Sequence, residues 1–102
     1  MDRVEKLKEY LKTNGKDSFL QHALALEYIK VGNDAEAKEL FNEILRREPT
    51  YIGSYYHLAK LLERIGNSEK AIKIYERGME EAKKAGDTHA YNELQGAYEE
   101  II

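Results

Sequence analysis

Apolar residues recur along this chain with the spacing of helices rather than the alternation of strands. Val4, Leu7 and Leu11 stand at positions i, i+3 and i+7, which places them in one stripe on a first helix. Five later stretches keep the same period, and glycine, asparagine or proline separates each from the next. The pattern predicts an all-α protein of six helices, over about residues 3–13, 18–31, 34–47, 51–65, 68–85 and 88–102.

The ends of these helices are marked by capping residues. A side-chain oxygen just before a helix accepts a hydrogen bond from one of its first free amides, and a glycine just after it closes the last turn. Pro49 prevents the third helix from continuing. The loops have only two to four residues, which makes consecutive helices antiparallel neighbours. The expected N-caps are Asp2, Asp17 or Ser18, Asn33, Thr50, Asn67 or Ser68, and Asp87 or Thr88, and the expected closing glycines are Gly32, Gly66 and Gly86.

The pattern also matches itself after 34 residues. A fixed period of this length indicates a stack of repeated helix pairs, and such stacks usually serve as binding surfaces rather than as catalysts. Small alanines let two helix backbones approach closely, and aromatic residues fill the space beside them. The matching residues are Leu24-Ala25 with Leu58-Ala59, Gly32-Asn33 with Gly66-Asn67, Ala37 with Ala71, and Phe41 with Tyr75.

These residues resemble the signature of the tetratricopeptide repeat family. That signature is an aromatic residue, Leu with a small residue, a second aromatic, and then Ala, an aromatic and Pro. Gln21 departs from it by replacing the first aromatic, and Lys83 stands where the second unit should have Pro, which agrees with a longer fifth helix. One unit reads Gln21, Leu24-Ala25, Tyr28, Ala37, Phe41 and Pro49, the next reads Tyr55, Leu58-Ala59, Leu62, Ala71 and Tyr75, and a partial third, displaced by two residues, reads Tyr91, Leu94, Gln95 and Tyr98.

The resemblance implies one domain over residues 1–102, a right-handed stack of helix-turn-helix repeats. Four tyrosines are expected on the packing stripes of this domain, namely Tyr10, Tyr28, Tyr75 and Tyr98. The expected parts are an N-terminal half-repeat helix over 1–16, repeats over 18–51 and 52–86, and a C-terminal capping helix over 87–102.

In this family the first helix of each unit lines a concave groove that holds a peptide segment of another protein. By resemblance, the partner-binding residues are those that packing leaves over on the second, fourth and sixth helices. Tyr56 is the best single candidate, because tyrosine offers contact area with few rotors and a polar tip. The full set is Phe19, His22, Leu26, Lys30, Tyr56, Lys60, Glu63 and Asn92.

The second helix is apolar on nearly all sides, which leaves the role of two of these residues open. Phe19 and Leu26 either pack on the first helix, form an apolar floor for a ligand, or belong to a self-association face.

One branch of the family clamps the C-terminal carboxylate of chaperones with Lys, Asn and Arg side chains. The matching positions here hold His22, Leu26, His57, His89 and Glu93, and Glu93 has the wrong charge for a carboxylate. We therefore expect no chaperone-tail binding of that kind.

Composition narrows the function further. The net charge of −3 is too small to indicate a nucleic-acid or membrane partner, and no apolar run approaches the ~20 residues that span a bilayer. The chain has no cysteine, phosphate-binding loop or catalytic motif, and its three histidines lie on successive helices rather than at one point. We expect no enzyme activity, no cofactor and no metal, in a cytoplasmic protein.

The two ends of the chain differ in charge. Residues 1–16 carry five basic and three acidic residues, a net +2, whereas residues 87–102 carry four acidic and no basic residues, a net −4. The charged residues at the two ends either belong to two solvated helix faces or attract the opposite ends of two molecules head to tail. The sequence thus predicts a non-catalytic module that binds a peptide or protein segment in its groove, and the alternative is a homodimer or stack formed through the end helices.

Overall fold

Residues 2–102 are described by the computed structural model, in which they form six helices and no strand. The predicted all-α fold is therefore confirmed. The chain divides into two compact units, one ending at Glu48 and the other beginning at Pro49, with three helices in each. The division into repeats remains a prediction. The helices are α1 (Arg3–Thr13), α2 (Ser18–Lys30), α3 (Asp34–Arg47), α4 (Gly53–Arg64), α5 (Ser68–Ala85) and α6 (Thr88–Ile101).

Five of the six helices begin at the caps that the sequence predicts. The carboxylate of Asp17, for example, accepts a hydrogen bond from the Leu20 amide at 3.0 Å. Each such bond satisfies one of the amides that have no partner inside the helix. The other side-chain caps are Asp2 for α1, Asn33 for α3, Asn67 for α5 and Asp87 for α6.

The fourth helix corrects the prediction. Thr50 does not cap it, because α4 begins at Gly53 and no side chain caps its start. The main chain takes over that role. The amides of Ser54 and Tyr55 donate to carbonyls three residues earlier, each at 3.2 Å, so a tight turn leads into the helix.

In the first unit, α2 packs against both α1 and α3. Leu7 on α1 is 2% exposed, while Ala25 on α2 and Phe41 on α3 are fully buried. The expectation that Tyr10 belongs to a packing stripe is wrong, since its side chain is 48% exposed. It lies three residues after Leu7, on the flank of α1 that α2 does not cover.

A hydrogen-bond network joins the start of α2 to the end of α3. The Arg47 guanidinium donates to Ser18 Oγ at 2.8 Å and to Gln21 Oε1 at 2.7 Å. Ser18 Oγ donates to a Glu48 carboxylate oxygen at 2.7 Å, and Gln21 Nε2 donates to the Gly15 carbonyl at 3.2 Å. Gln21 is only 3% exposed, so both ends of its amide need these partners.

The same network explains why Gln21 replaces an aromatic residue. In the second unit the Tyr55 hydroxyl donates to the Pro49 carbonyl at 2.6 Å, six residues upstream. Gln21 donates to the Gly15 carbonyl, which is also six residues upstream. Burial raises the pKa of the Tyr55 hydroxyl, so it stays protonated as a donor. The two side chains differ in shape but satisfy equivalent carbonyls.

In the second unit, α5 packs between α4 and α6 at very close range. Gly78 on α5 has no side chain, and a Cβ placed there would lie 2.7 Å from Tyr55 Cβ and 3.0 Å from Leu94 Cδ1. Tyr55 is fully buried and Leu94 is 1% exposed, so neither has free space beside it. The absence of a side chain at Gly78 therefore sets the distance between three helices.

Candidate functional site

The lining positions on α2 are accessible while their neighbours are buried. Phe19, His22, Leu26 and Lys30 follow one another at i, i+3, i+7 and i+11, and we call this set the α2 face. Phe19 is 69% exposed, so its ring does not pack on α1, and that interpretation of Phe19 is wrong. Leu26 is half-buried. The α2 face thus presents an exposed aromatic ring beside a partly covered leucine.

Two contacts hold the polar members of the α2 face. The His22 ring lies edge-on to the Phe41 ring, with centroids 5.6 Å apart and an angle of 67° between the planes. Lys30 Nζ lies 3.5 Å from Glu27 Oε2, and Arg3 approaches the other oxygen of Glu27 at 3.7 Å. The side chain of Lys30 is 76% exposed, and an ion pair with one partner this open to water contributes only ~0–1 kcal/mol. The Lys30 ammonium can therefore leave Glu27 for a ligand at little cost.

The lining positions on α4 form a second set, Tyr56, Lys60 and Glu63, which we call the α4 face. The Lys60 ammonium lies 5.9 Å from the centre of the Tyr56 ring and 3.9 Å from Glu63 Oε2. The Tyr56 ring also meets His57 edge-on, with centroids 5.6 Å apart. All three side chains of the α4 face are half-buried, and together they form a pre-arranged patch of aromatic, cation and anion.

Glu63 is tied to the core of the second unit. The hydroxyl of Tyr75, a fully buried residue, donates a hydrogen bond to Glu63 Oε2. Burial, followed by this bond to a carboxylate, raises the pKa of Tyr75 far above that of free tyrosine. Glu63 consequently serves the fold as well as the surface, which makes it the least available of the α4 lining residues.

On α6 the sequence analysis named Asn92, which is exposed, but it missed Gly96. Gly96 lies 36 residues after Lys60, at the matching lining position, and an added Cβ there would meet nothing within 4 Å. Burial lowers the pKa of His57 on α4, and the nearby carboxylate of Glu93 on α6 partly offsets this shift. The 36-residue spacing of Leu58 and Leu94 was the signal that would have identified Gly96.

Three further observations concern possible sites and membrane segments. In the part of the chain that the structure describes, no group of three or more histidine, aspartate or glutamate side chains is arranged to hold a metal. No helix among residues 2–102 is long and apolar enough to span a membrane. A cleft of about 320 Å³ opens between the end of α5 and the start of α6, lined by Ala82, Lys83, Gly86, Asp87, Thr88 and Tyr91.

Comparison with known proteins gives consistent matches. A model of the tetratricopeptide repeat matches residues 28–98. The crystal structure of a tetratricopeptide repeat domain protein from Salinibacter ruber superimposes with a TM-score of 0.80 at 40% identity, covering 83% of this chain and 94% of that one.

More distant matches agree. The solution structure of a Bordetella parapertussis protein has a TM-score of 0.85 at 24% identity and covers 99% of this chain and 88% of that one, which is a likeness of fold alone. The mouse interferon-induced protein with tetratricopeptide repeats 3 is 23% identical over 99 residues, 97% of this chain. This chain spans only 24% of that relative's length.

Proposed function

The chain belongs to the tetratricopeptide repeat family, and we propose that it is a non-catalytic module that binds a peptide or protein segment along its lining positions. The fold is generally a protein–protein interaction module, and proteins of the family are generally non-catalytic scaffolds. One observation carries the proposal for this chain. On α2 and α4 the repeating residues are buried, whereas the lining residues, which do not repeat, remain accessible beside them.

The two faces favour different kinds of ligand group. The α2 face offers Phe19, 69% exposed, and half-buried Leu26, which favour an apolar ligand side chain. The α4 face offers a tyrosine ring with a lysine 5.9 Å from its centre, which favours polar and aromatic groups. Open space at Gly96 on α6 lets a ligand approach the helix backbone closely.

Tyr56 is the residue through which the proposal is best tested. A tyrosine that anchors a ligand typically loses more than ~1–2 kcal/mol of binding when truncated to alanine. Partners can be captured by crosslinking to the wild-type chain and to Tyr56→Ala. The wild-type chain should recover its specific partners, whereas Tyr56→Ala should stay folded but lose them. Tyr51→Ala is the matched control, because Tyr51 is a tyrosine that is half-buried like Tyr56 and lies outside the lining positions.

The expected result is loss of partners with Tyr56→Ala and their retention with Tyr51→Ala. Equal recovery of every captured protein by both variants would show that Tyr56 is no anchor. Circular dichroism of both variants checks that helix content is unchanged.

A further inference from the structure

The structure contains a packing surface that is covered on one helix and open on another. On α4 the stripe of Tyr55, Ala59 and Leu62 is buried beneath α5, with no member more than 1% exposed. Thirty-six residues later, α6 carries the corresponding stripe of Tyr91, Gln95 and Tyr98, and all three are half-buried. The 320 Å³ cleft beside Tyr91 lies at one end of this stripe. We call these three residues the α6 stripe.

A complementary open surface lies on α1. In the first unit, Ala37, Phe41 and Ile44 of α3 are fully buried. Thirty-four residues earlier, the matching positions on α1 hold Arg3, Leu7 and Tyr10. Leu7 is buried by α2, but Tyr10 is 48% exposed and the side chain of Arg3 is 59% exposed. This flank of α1 therefore corresponds to the packing face of α3, but its aromatic and cationic side chains, Tyr10 and Arg3, are accessible.

The charges of the two helices are opposite. Helix α6 carries three glutamates and no basic residue, even in its last turn, where the helix dipole is negative. Helix α1 carries four basic residues and two acidic residues. A contact between two copies of α6 would oppose like charges, whereas a contact between α6 and α1 pairs opposite ones.

The arrangement of α4 and α5 indicates the orientation. Tyr75 of α5 donates to Glu63 of α4 in an antiparallel pair. Glu99 lies 36 residues after Glu63, is exposed, and occupies the corresponding place on α6. Leu7 on α1 matches Tyr75 at two repeat lengths, and Arg3 lies one turn before Leu7 on the same face of the helix. An antiparallel α1 would thus bring Arg3 close to Glu99.

We infer that the α6 stripe takes α1 of a second copy of this chain, antiparallel, with Tyr10 at the Tyr91 end of the stripe and Arg3 near Glu99. The contact joins two different faces, so each copy can use both. One helix pair buries less than the ~1,200 Å² of a stable complex, so the association is weak.

The first test is sedimentation velocity of the chain from about 10 μM to about 1 mM, the range suited to a small interface. The average mass should rise with concentration above that of the monomer and fall at high salt, because charge pairing is screened. A monomer at every concentration would overturn the inference. Tyr10→Ala should weaken association by about tenfold, as for an interface aromatic.

Charge reversal identifies the two faces. Arg3→Glu and Glu99→Lys should each weaken association by about fivefold, which corresponds to a surface ion pair of ~1 kcal/mol. A one-to-one mixture of the two variants should associate again, because each junction between the two variants then regains opposite charges. Lys73→Glu on the exposed side of α5 is the matched control, with the same change in net charge as Arg3→Glu. Association of Arg3→Glu equal to that of wild type would show that α1 is not the occupant.

Discussion

Substituting alanine for Gly78 tests how closely the helices of the second unit pack. Alanine in a helix interior is favoured over glycine by ~1 kcal/mol, so on helix propensity alone Gly78→Ala would be stabilising. The new Cβ would lie 2.7 Å from Tyr55 Cβ and 3.0 Å from Leu94 Cδ1. The nearest obstacle is an atom attached directly to a backbone, not the end of a flexible side chain. Helix α5 must therefore move away from α4.

The size of the effect follows from these two terms. Overpacking a tight core costs ~1–3 kcal/mol, and a fully buried Tyr55 places this site near the upper end. After the gain in propensity, we expect Gly78→Ala to lower the free energy of unfolding by about 2 kcal/mol.

Gly96→Ala is the matched control, because Gly96 is also inside a helix but nothing lies within 4 Å of its added Cβ. It should raise the free energy of unfolding by ~0.5–1 kcal/mol. Urea unfolding followed by circular dichroism at 222 nm measures both variants. Because the propensity gain is common to them, their difference of about 3 kcal/mol isolates the packing cost. If Gly78→Ala proves as stable as Gly96→Ala, the close approach of α4, α5 and α6 is not rigid and the reasoning fails.

Three further outcomes follow from the described contacts. Gln21→Leu should lower the free energy of unfolding by ~1–3 kcal/mol in urea titration, because it leaves the Gly15 carbonyl and one Arg47 donor without partners; an unchanged midpoint would contradict this. Burial lowers the pKa of His57 in the folded chain below the value near 6.5 of the unfolded chain. Between these two pKa values the unfolded chain binds more protons than the folded chain. The free energy of unfolding therefore decreases as the pH falls through this range. His57→Gln should flatten that loss as the pH falls below about 7, and identical pH profiles would refute it. A chaperone C-terminal peptide should show no binding in calorimetry, because His22, Leu26 and Glu93 occupy clamp positions; micromolar binding would overturn this expectation.

Much of the fold was predictable from sequence because its signals are local. Helix period, side-chain caps and closing glycines depend on a few neighbouring residues, and five of six helix starts were predicted from them. The start of α4 was not, because a main-chain turn replaces the side-chain cap and leaves no residue signature. Tyr10 was misplaced for a related reason: its spacing fits a packing stripe, but only the position of α2 decides which flank of α1 is covered.

The candidate site was less predictable than the fold. The lining residues were chosen by resemblance, as the residues left over once the packing stripe had been assigned. This choice gives their positions along each helix but not which side chains surround them. The exposure of Phe19, the tie between Glu63 and Tyr75, and the open space at Gly96 depend on how neighbouring helices meet. None of these follows from the period of one helix.

The central claim is that the non-repeating lining residues bind the partner while the repeating residues only pack. The most direct test is a nuclear magnetic resonance titration of the labelled chain with a peptide selected for binding from a random displayed library. The account predicts amide shift changes concentrated at the lining positions of α2, α4 and α6, around Leu26, Tyr56 and Gly96, with Tyr56→Ala weakening the peptide at least about tenfold. Shift changes confined to the outer faces of α3 and α5, with unchanged affinity for Tyr56→Ala, would contradict it.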